Sequence, residues 1–159
     1  MEHALERTRH LTFKYPKQVG FKCTRCLTCC RDTENRKRTI LLMRVEAECI
    51  ARKTGKTLTE FVEKTDGVEP YVYCMKKTIG GTCVFLDGHS CSIYRVRPII
   101  CKFYPFELHE SEGEYTFSFT SECPSIRKGP VLQRKYFENL FKAIKKLTRE
   151  NVEQNPDEA

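Results

Sequence analysis

The chain has 159 residues, of which 40% are hydrophobic and 31% charged, with a formal net charge of +7 and ten cysteines. This length supports one hydrophobic core, and the composition excludes a disordered or fibrous chain. No apolar run approaches the roughly 20 residues that cross a bilayer, and the charged start MEHALERTRHLTFKYPK lacks the apolar stretch of a secretory signal. The expectation is a cytoplasmic protein without a membrane partner, folded as a single domain over residues 1–150 with a polar tail at 151–159 that frays.

In chain order, residues 1–22 read as a polar lead-in whose Leu11, Phe13, Tyr15 and Phe21 pack as a short extended segment. The cysteine-rich CTRCLTCC follows at 23–30, and RDTENRKR at 31–38 reads as a solvated loop. TILLM at 39–43 has strand or helix-entry character. Val45, Ala47, Cys49 and Ile50 form an imperfect helical stripe from Arg44 to Lys53, with Gly55 as the stop. Thr57 to Glu60 has capping-box spacing, so a second short helix completes a helical hairpin. YVYCMKK at 71–77 reads as a strand paired with CVFL at 83–86 across a Gly80-Gly81 turn, and Asp87-Gly88 marks another turn. Tyr115, Phe117 and Phe119 alternate with polar residues, which predicts a half-buried strand. Leu132, Phe137, Leu140, Phe141, Ile144 and Leu147 recur at helical spacing and predict an amphipathic helix ending near Arg149.

The cysteines carry the chemistry. In a reducing compartment clustered thiols point to metal rather than to disulfides. Cys23, Cys26 and Cys29 form a C-x2-C-x2-C run, a spacing that lets the thiolates of one tight loop converge on a common centre. Cys30 follows directly. Adjacent side chains diverge in extended backbone, so Cys30 is expected to point away from Cys29 and to join remote thiols. Cys83, Cys91, Cys101 and Cys123 supply four further candidates. The simplest partition gives Cys23, Cys26 and Cys29 one distant partner and gathers Cys30 with the other three. Cys49 and Cys74, on a helical stripe and inside a strand, read as core residues.

CTRCLTCC, CVFLDGHSCSIYRVRPIICKFYPF at 83–106 and the Cys123-Pro124 pair together resemble the YkgJ-type cysteine-cluster family, the CxxCxxCC domain described as zinc- or iron-chelating. The resemblance spans roughly residues 20–125 and includes the helical segment between the clusters. It implies metal chelation through Cys23, Cys26, Cys29, Cys30, Cys83, Cys91, Cys101 and Cys123. A flagellin lysine N-methylase has a similar cysteine pattern, but this chain is far shorter and shows no glycine-rich S-adenosylmethionine loop.

The fold class expected is therefore α+β: a small cysteine-rich domain organised by metal, with a helical hairpin, a few short strands and a C-terminal helix. Thiolates suit both iron-sulfur clusters and Zn²⁺. The continuous C-x2-C-x2-C loop favours iron-sulfur, with [4Fe-4S] the expected form and a redox or electron-transfer role. Zn²⁺ in a structural binding module is the alternative, and an accessory or catalytic domain for protein modification is a third reading. Two tetrathiolate centres of charge −2 each would lower the net charge from +7 to about +3, so basicity alone argues little for nucleic acid.

Around the cysteines, Arg95 or Arg97 is expected to place a guanidinium near the thiolates, bonded to sulfur or to a carbonyl oxygen. Tyr94, Phe103, Tyr104, Pro105 and Phe106 are expected to wall the ligands from water. His89 reads as a turn residue, and His3, His10 and His109 have no metal-like spacing. The basic face of the last helix, Arg134, Lys135, Lys142, Lys145, Lys146 and Arg149, is the place for an acidic redox protein or a nucleic acid to bind.

Overall fold

The structure is a computed structural model, and it describes residues 12–156. The expectations for Leu11, His3 and His10, and for the last three residues of the tail, lie outside the described residues. The fold is α+β, as the sequence predicts, with short antiparallel strands and four α-helices among the described residues. No described helix is long and apolar enough to cross a membrane.

Helix α1, Arg44–Thr54, turns Val45, Ala47 and Ile50 inward and stops at Gly55, whose φ of 71° lets its N–H return to the Ala51 carbonyl. Glu46 closes its first turn by accepting the Met43 N–H at 2.9 Å. The expected capping box forms at Thr57, whose N–H donates to Glu60 at 2.6 Å. Helix α2, Leu58–Phe61, is nevertheless only one turn long, so the helical hairpin is one helix followed by a single turn.

Strands β2 (Leu41–Leu42), β3 (Val62–Lys64) and β4 (Tyr73–Met75) make a small antiparallel sheet with β4 in the middle. The expected pairing of 71–77 with 83–86 is corrected here. The turn at Gly80-Gly81 exists, with Thr78 N–H on the Thr82 carbonyl at 2.8 Å, but only the Lys77–Cys83 bridge and a hydrogen bond from Val84 N–H to the Lys76 carbonyl at 3.2 Å follow, and no strand pair forms. Both edges of β4 are already occupied, by β2 and β3, and the chain leaves to bury Phe85 against Phe61. Leu86–Asp87 (β5) then pairs with Ser90–Cys91 (β6).

After the short helix α3, Ile99–Phe103, strands β7 (Phe106–Ser111) and β8 (Glu114–Phe119) form a hairpin around Glu112-Gly113, both in the left-handed region that a two-residue turn demands. The period-2 strand at 115–120 is present as β8. Its partner β7 was not expected, because its second half, HES, carries no apolar alternation. Gly20–Phe21 (β1) pairs with Ile126–Val131 (β9), and α4, Arg134–Gln154, closes the chain. Helix α4 runs past the expected end at Arg149. The Asn151 side chain is buried and accepts the Val45 N–H at 3.2 Å, so the segment expected to fray is helical to Gln154 and helps cap α1.

Two cores result. One packs α1, the β2-β4-β3 sheet, Phe61, Phe85 and Ile93 together with Cys83. The other is aromatic: Phe13, Phe103, Phe106, Phe117, Phe137 and Phe141 pack ring on ring between the β7-β8 hairpin and α4. The cysteine loops lie where the two meet.

Candidate metal centre

The loop 23–30 is shaped by two residues in left-handed backbone, Arg25 at φ 55° and Leu27 at φ 68°. Such conformations cost about 1 kcal/mol or more for residues with a side chain and persist where the surroundings impose them. Here the first reversal aims the Arg25 N–H at Cys23 Sγ, 3.4 Å away, and the second leads into a 3-10 turn over Thr28–Cys30, while the buried Leu27 side chain anchors the loop.

That turn overturns the expected divergence of Cys29 and Cys30. In a 3-10 turn neighbouring side chains stand about 120° apart rather than on opposite faces. Their sulfurs accordingly approach to 3.9 Å.

Separate devices bring up the remaining thiols. The Cys30 carbonyl accepts the Cys83 N–H at 2.7 Å, and Arg31 bridges Thr82, which sets Cys83 beside the loop. The β5-β6 pairing presents Cys91 opposite Leu86. Cys101 sits in the first turn of α3, whose Ile99 N–H is held at 2.6 Å by the other oxygen of Glu46. On the far side, Thr24 bonds Ser125 twice, through its N–H at 3.2 Å and its hydroxyl at 2.7 Å, drawing the Cys23–Cys26 loop against Cys123. The β1-β9 pairing supports this join, and Gly20 and Gly129 are needed there. A Cβ on Gly20 would stand 2.7 Å from the Gly129 carbonyl oxygen.

All eight clustered cysteines line one cavity of about 380 Å³; Cys49 and Cys74 do not. Hydrogen bonds set Cys29 and Cys30 beside Cys83 and draw Cys23 and Cys26 toward Cys123.

Burial pushes the Cys101 thiol up to about 12, and it raises Cys83, Cys91 and Cys123 as well. Cys29 goes the other way, to about 6, first because the Cys30 thiol donates to it and then through the charges of Arg38 and Arg97; Cys30 is pushed up in return. Thiolates gathered in such a site need compensating positive charge.

Part of that charge comes from a segment read as solvated. Arg38 donates from Nε to the Cys29 carbonyl at 3.2 Å and lies 4.9 Å over the Tyr104 ring. Arg36 reaches the Thr28 carbonyl and Tyr104 and pairs with Glu122, and Arg31 contacts the Leu27 carbonyl. Asp32 is fixed by Lys77 at 2.7 Å and by the Arg38 N–H at 2.6 Å, which hold its carboxyl below the usual range. The available signal was position: three arginines and a lysine within eight residues, directly after the cysteine loop.

Tyr94, Arg95 and Arg97 also line the cavity. Arg97 stacks 3.9 Å over Tyr94 and bonds its carbonyl at 2.6 Å, so it acts on the thiols through space. The expected apolar wall divides: Tyr94 and Tyr104 face the cavity, while Phe103 and Phe106 belong to the aromatic core and Pro105 is buried. His89 sits in the β5-β6 turn at the cavity edge, and His109 bonds Ser118 far from it.

Two observations test whether the cavity fits a metal. Arg38 Nη2 is buried without a hydrogen-bond partner, the single such side-chain nitrogen or oxygen among the described residues. A guanidinium nitrogen left unpaired beside Cys29 and Cys101 calls for an anionic acceptor, which a thiolate-ligated centre supplies. Among the described residues no three Cys, His, Asp or Glu side chains stand close enough to chelate one ion as placed. The eight thiols surround a space wider than a single ion needs. The donor set is soft and fits zinc or iron.

Over 107 residues the chain is 27% identical to the uncharacterized protein MJ0661 of Methanocaldococcus jannaschii, a match covering 66% of this chain and 55% of that protein. The match thus spans about half the length of that relative. No solved structure matches. The sequence model of the CxxCxxCC family, "Putative zinc- or iron-chelating domain", matches residues 22–124, which include all eight cavity cysteines. The chain belongs to this YkgJ-type, CxxCxxCC family of zinc- or iron-chelating domains.

Proposed function

We propose that the chain is an iron-sulfur protein whose cluster ligands are drawn from Cys23, Cys26, Cys29, Cys30, Cys83, Cys91, Cys101 and Cys123, with a redox or electron-transfer role. The observation that carries this reading is the selective gathering of thiols: eight cysteines from five separate stretches of chain line one cavity, and the two outside the motifs stay out of it. Width supports iron-sulfur over single ions. A cluster interposes iron and sulfide between its thiolates, so its ligands stand farther apart than around one tetrahedral ion, and the cavity of about 380 Å³ has room for such a core.

Zinc is the second reading, and the Cys29-Cys30 pair favours it. Tetrahedral coordination with Zn–S bonds of about 2.3 Å puts sulfurs roughly 3.8 Å apart, close to the 3.9 Å between these two. An anaerobic preparation of the full chain decides between them through its metal and sulfide content and its visible spectrum. Iron with acid-labile sulfide and a brown colour is the expected result. A colourless protein holding stoichiometric zinc would replace it with a structural zinc module.

The partner belongs to the same proposal: an acidic redox protein at the basic face of α4. Arg134, Lys145 and Lys146 are engaged within the chain, with Glu138, with Tyr115 and with Glu150. Lys135, Lys142 and Arg149 stand exposed and supply the surface charge. Binding of an acidic redox protein should weaken as salt rises. Salt-sensitive binding of RNA or DNA in its place would reassign the face to nucleic acid.

A further inference from the structure

Among the described residues the cavity is lined by four cations, Arg25, Arg95, Arg97 and Lys102, and by no aspartate or glutamate. None of the four forms an ion pair, and no guanidinium of the three arginines donates to a sulfur. Arg25, Tyr94, Arg95 and Lys102 are exposed, so this charge sits where the cavity meets solvent.

Tyr94 organises the rim. The Arg25 guanidinium lies 4.9 Å over its ring and that of Arg97 3.9 Å over the same ring, and Arg97 also donates to the Tyr94 carbonyl oxygen at 2.6 Å. A stacked guanidinium keeps N–H edges free, and those edges match a carboxylate two bonds at a time. Side chains already held by a ring lose less freedom when an acceptor arrives. Arginine and tyrosine are also the residues enriched at the centres of protein interfaces.

Two features favour a protein partner over a nucleic acid. A nucleobase would need an open aromatic face, and Tyr94 already carries two guanidiniums. A phosphate backbone would need a basic track, whereas these cations gather at one opening. Tyr136 is the one α4 residue that reaches the cavity, which sets the rim apart from Lys135, Lys142 and Arg149.

We propose that the rim formed by Arg25, Tyr94, Arg95 and Arg97 is a docking site for a carboxylate-rich segment of a protein partner, seated over the mouth of the cysteine cavity. The site is a second surface, separate from the basic face of α4, and it depends on the folded chain rather than on which metal the thiols hold.

The test titrates the anaerobically purified full chain into fluorescein-labelled hexaglutamate, hexalysine and an oligothymidylate, followed by fluorescence anisotropy, with metal content measured on the same samples. Hexaglutamate should bind saturably and more weakly as salt rises, and hexalysine should not bind. Arg25→Gln and Arg97→Gln should each weaken hexaglutamate about fivefold, and Lys142→Gln should leave it unchanged. Arg95→Gln, which removes no hydrogen bond or ion pair within the chain, should weaken it about threefold without any effect on the fold. Absence of hexaglutamate binding, tighter binding of oligothymidylate, or a loss at Lys142→Gln with none at the rim variants overturns the inference; in a chain of full metal content it leaves the metal reading standing. The expected pattern in a chain that holds no metal supports the docking site and removes the metal reading instead.

Discussion

The aromatic half of the molecule and its cysteine half are held together by different forces. Between the β7-β8 hairpin and α4, six buried phenylalanines pack at centroid distances of 5 to 6 Å or thereabouts, and four of them, Phe106, Phe117, Phe137 and Phe141, sit on elements six and 21 residues long. The cysteine half has strands of two and three residues, a loop with two left-handed residues, and a cavity beside its own core. A packed aromatic core stabilises its half through buried area alone. The other half needs something to draw its walls together, and the thiols facing the cavity are the groups able to bind it.

The largest effect therefore comes from taking the metal away. Binding free energies of structural thiolate sites run on the order of 10 kcal/mol, and that energy is folding energy. Chelation should remove amide exchange protection from residues 23–42 and 83–101 while leaving most of it in 106–119 and 134–147. Equal protection in both halves before and after chelation would break the contrast. Phe137→Ala attacks the opposite half. Phe137 is fully buried and packs against Phe106, Phe117 and Tyr15, so its loss should cost about 3–5 kcal/mol in chemical denaturation. Metal stoichiometry should change much less than stability does.

Glu46 joins the halves, and a smaller effect is expected there. Its two oxygens accept the Met43 and Ile99 N–H groups, one at the start of α1 and the other at the start of the helix bearing Cys101. Glu46→Gln keeps the shape but turns an NH₂ toward one of these donors, which should cost about 1–3 kcal/mol. Burial raises the Glu46 carboxyl above its ordinary 4.5, outweighing the two backbone N–H bonds that lower it. A raised acid contributes stability that is fully present below 4.5 and is lost as pH rises through the folded value. The stability gap between parent and Glu46→Gln should accordingly narrow with rising pH. Denaturation curves across that range check the sign, and a gap that widens would show that the hydrogen bonds, rather than desolvation, dominate.

Legibility in the sequence followed the same division. Helical and strand periodicity needs only local pattern, and it located α1, β8 and the buried face of α4 from Phe137, Phe141 and their neighbours. The motif cysteines were visible as candidates because their spacing is a chemical pattern; that they share one cavity required coordinates. Their grouping was hidden. Adjacency predicts that Cys29 and Cys30 diverge, but the 3-10 turn over Thr28–Cys30 brings their sulfurs to 3.9 Å, and that turn follows φ angles at Arg25 and Leu27 that no propensity favours. The role of Glu46 was obscured because one of its partners, Ile99, lies 53 residues away. Arg38 was lost in a charge run because the acceptors that order it, the Cys29 carbonyl and the Tyr104 ring, come from the fold.

The smallest effect is the one that bears most directly on how Cys23 and Cys26 meet Cys123. Ser125 is 1% exposed, and its hydroxyl serves Thr24 twice, accepting from the N–H and sharing a hydrogen bond with the side chain. Ser125→Ala leaves that N–H without its partner, a loss of about 1 kcal/mol in a partly buried position. Global stability should barely register it, since β1 and β9 still pair across Gly20 and Gly129. Registration of Cys123 against Cys23 and Cys26 depends on this contact more than on any other hydrogen bond between the two loops. Thiol alkylation of the loaded protein should thus proceed faster at Cys23 and Cys26 in the variant and unchanged at Cys83 and Cys101. Equal acceleration at all four would mean that the two groups are mechanically one, and the contrast between the two walls of the cavity would lose its physical basis.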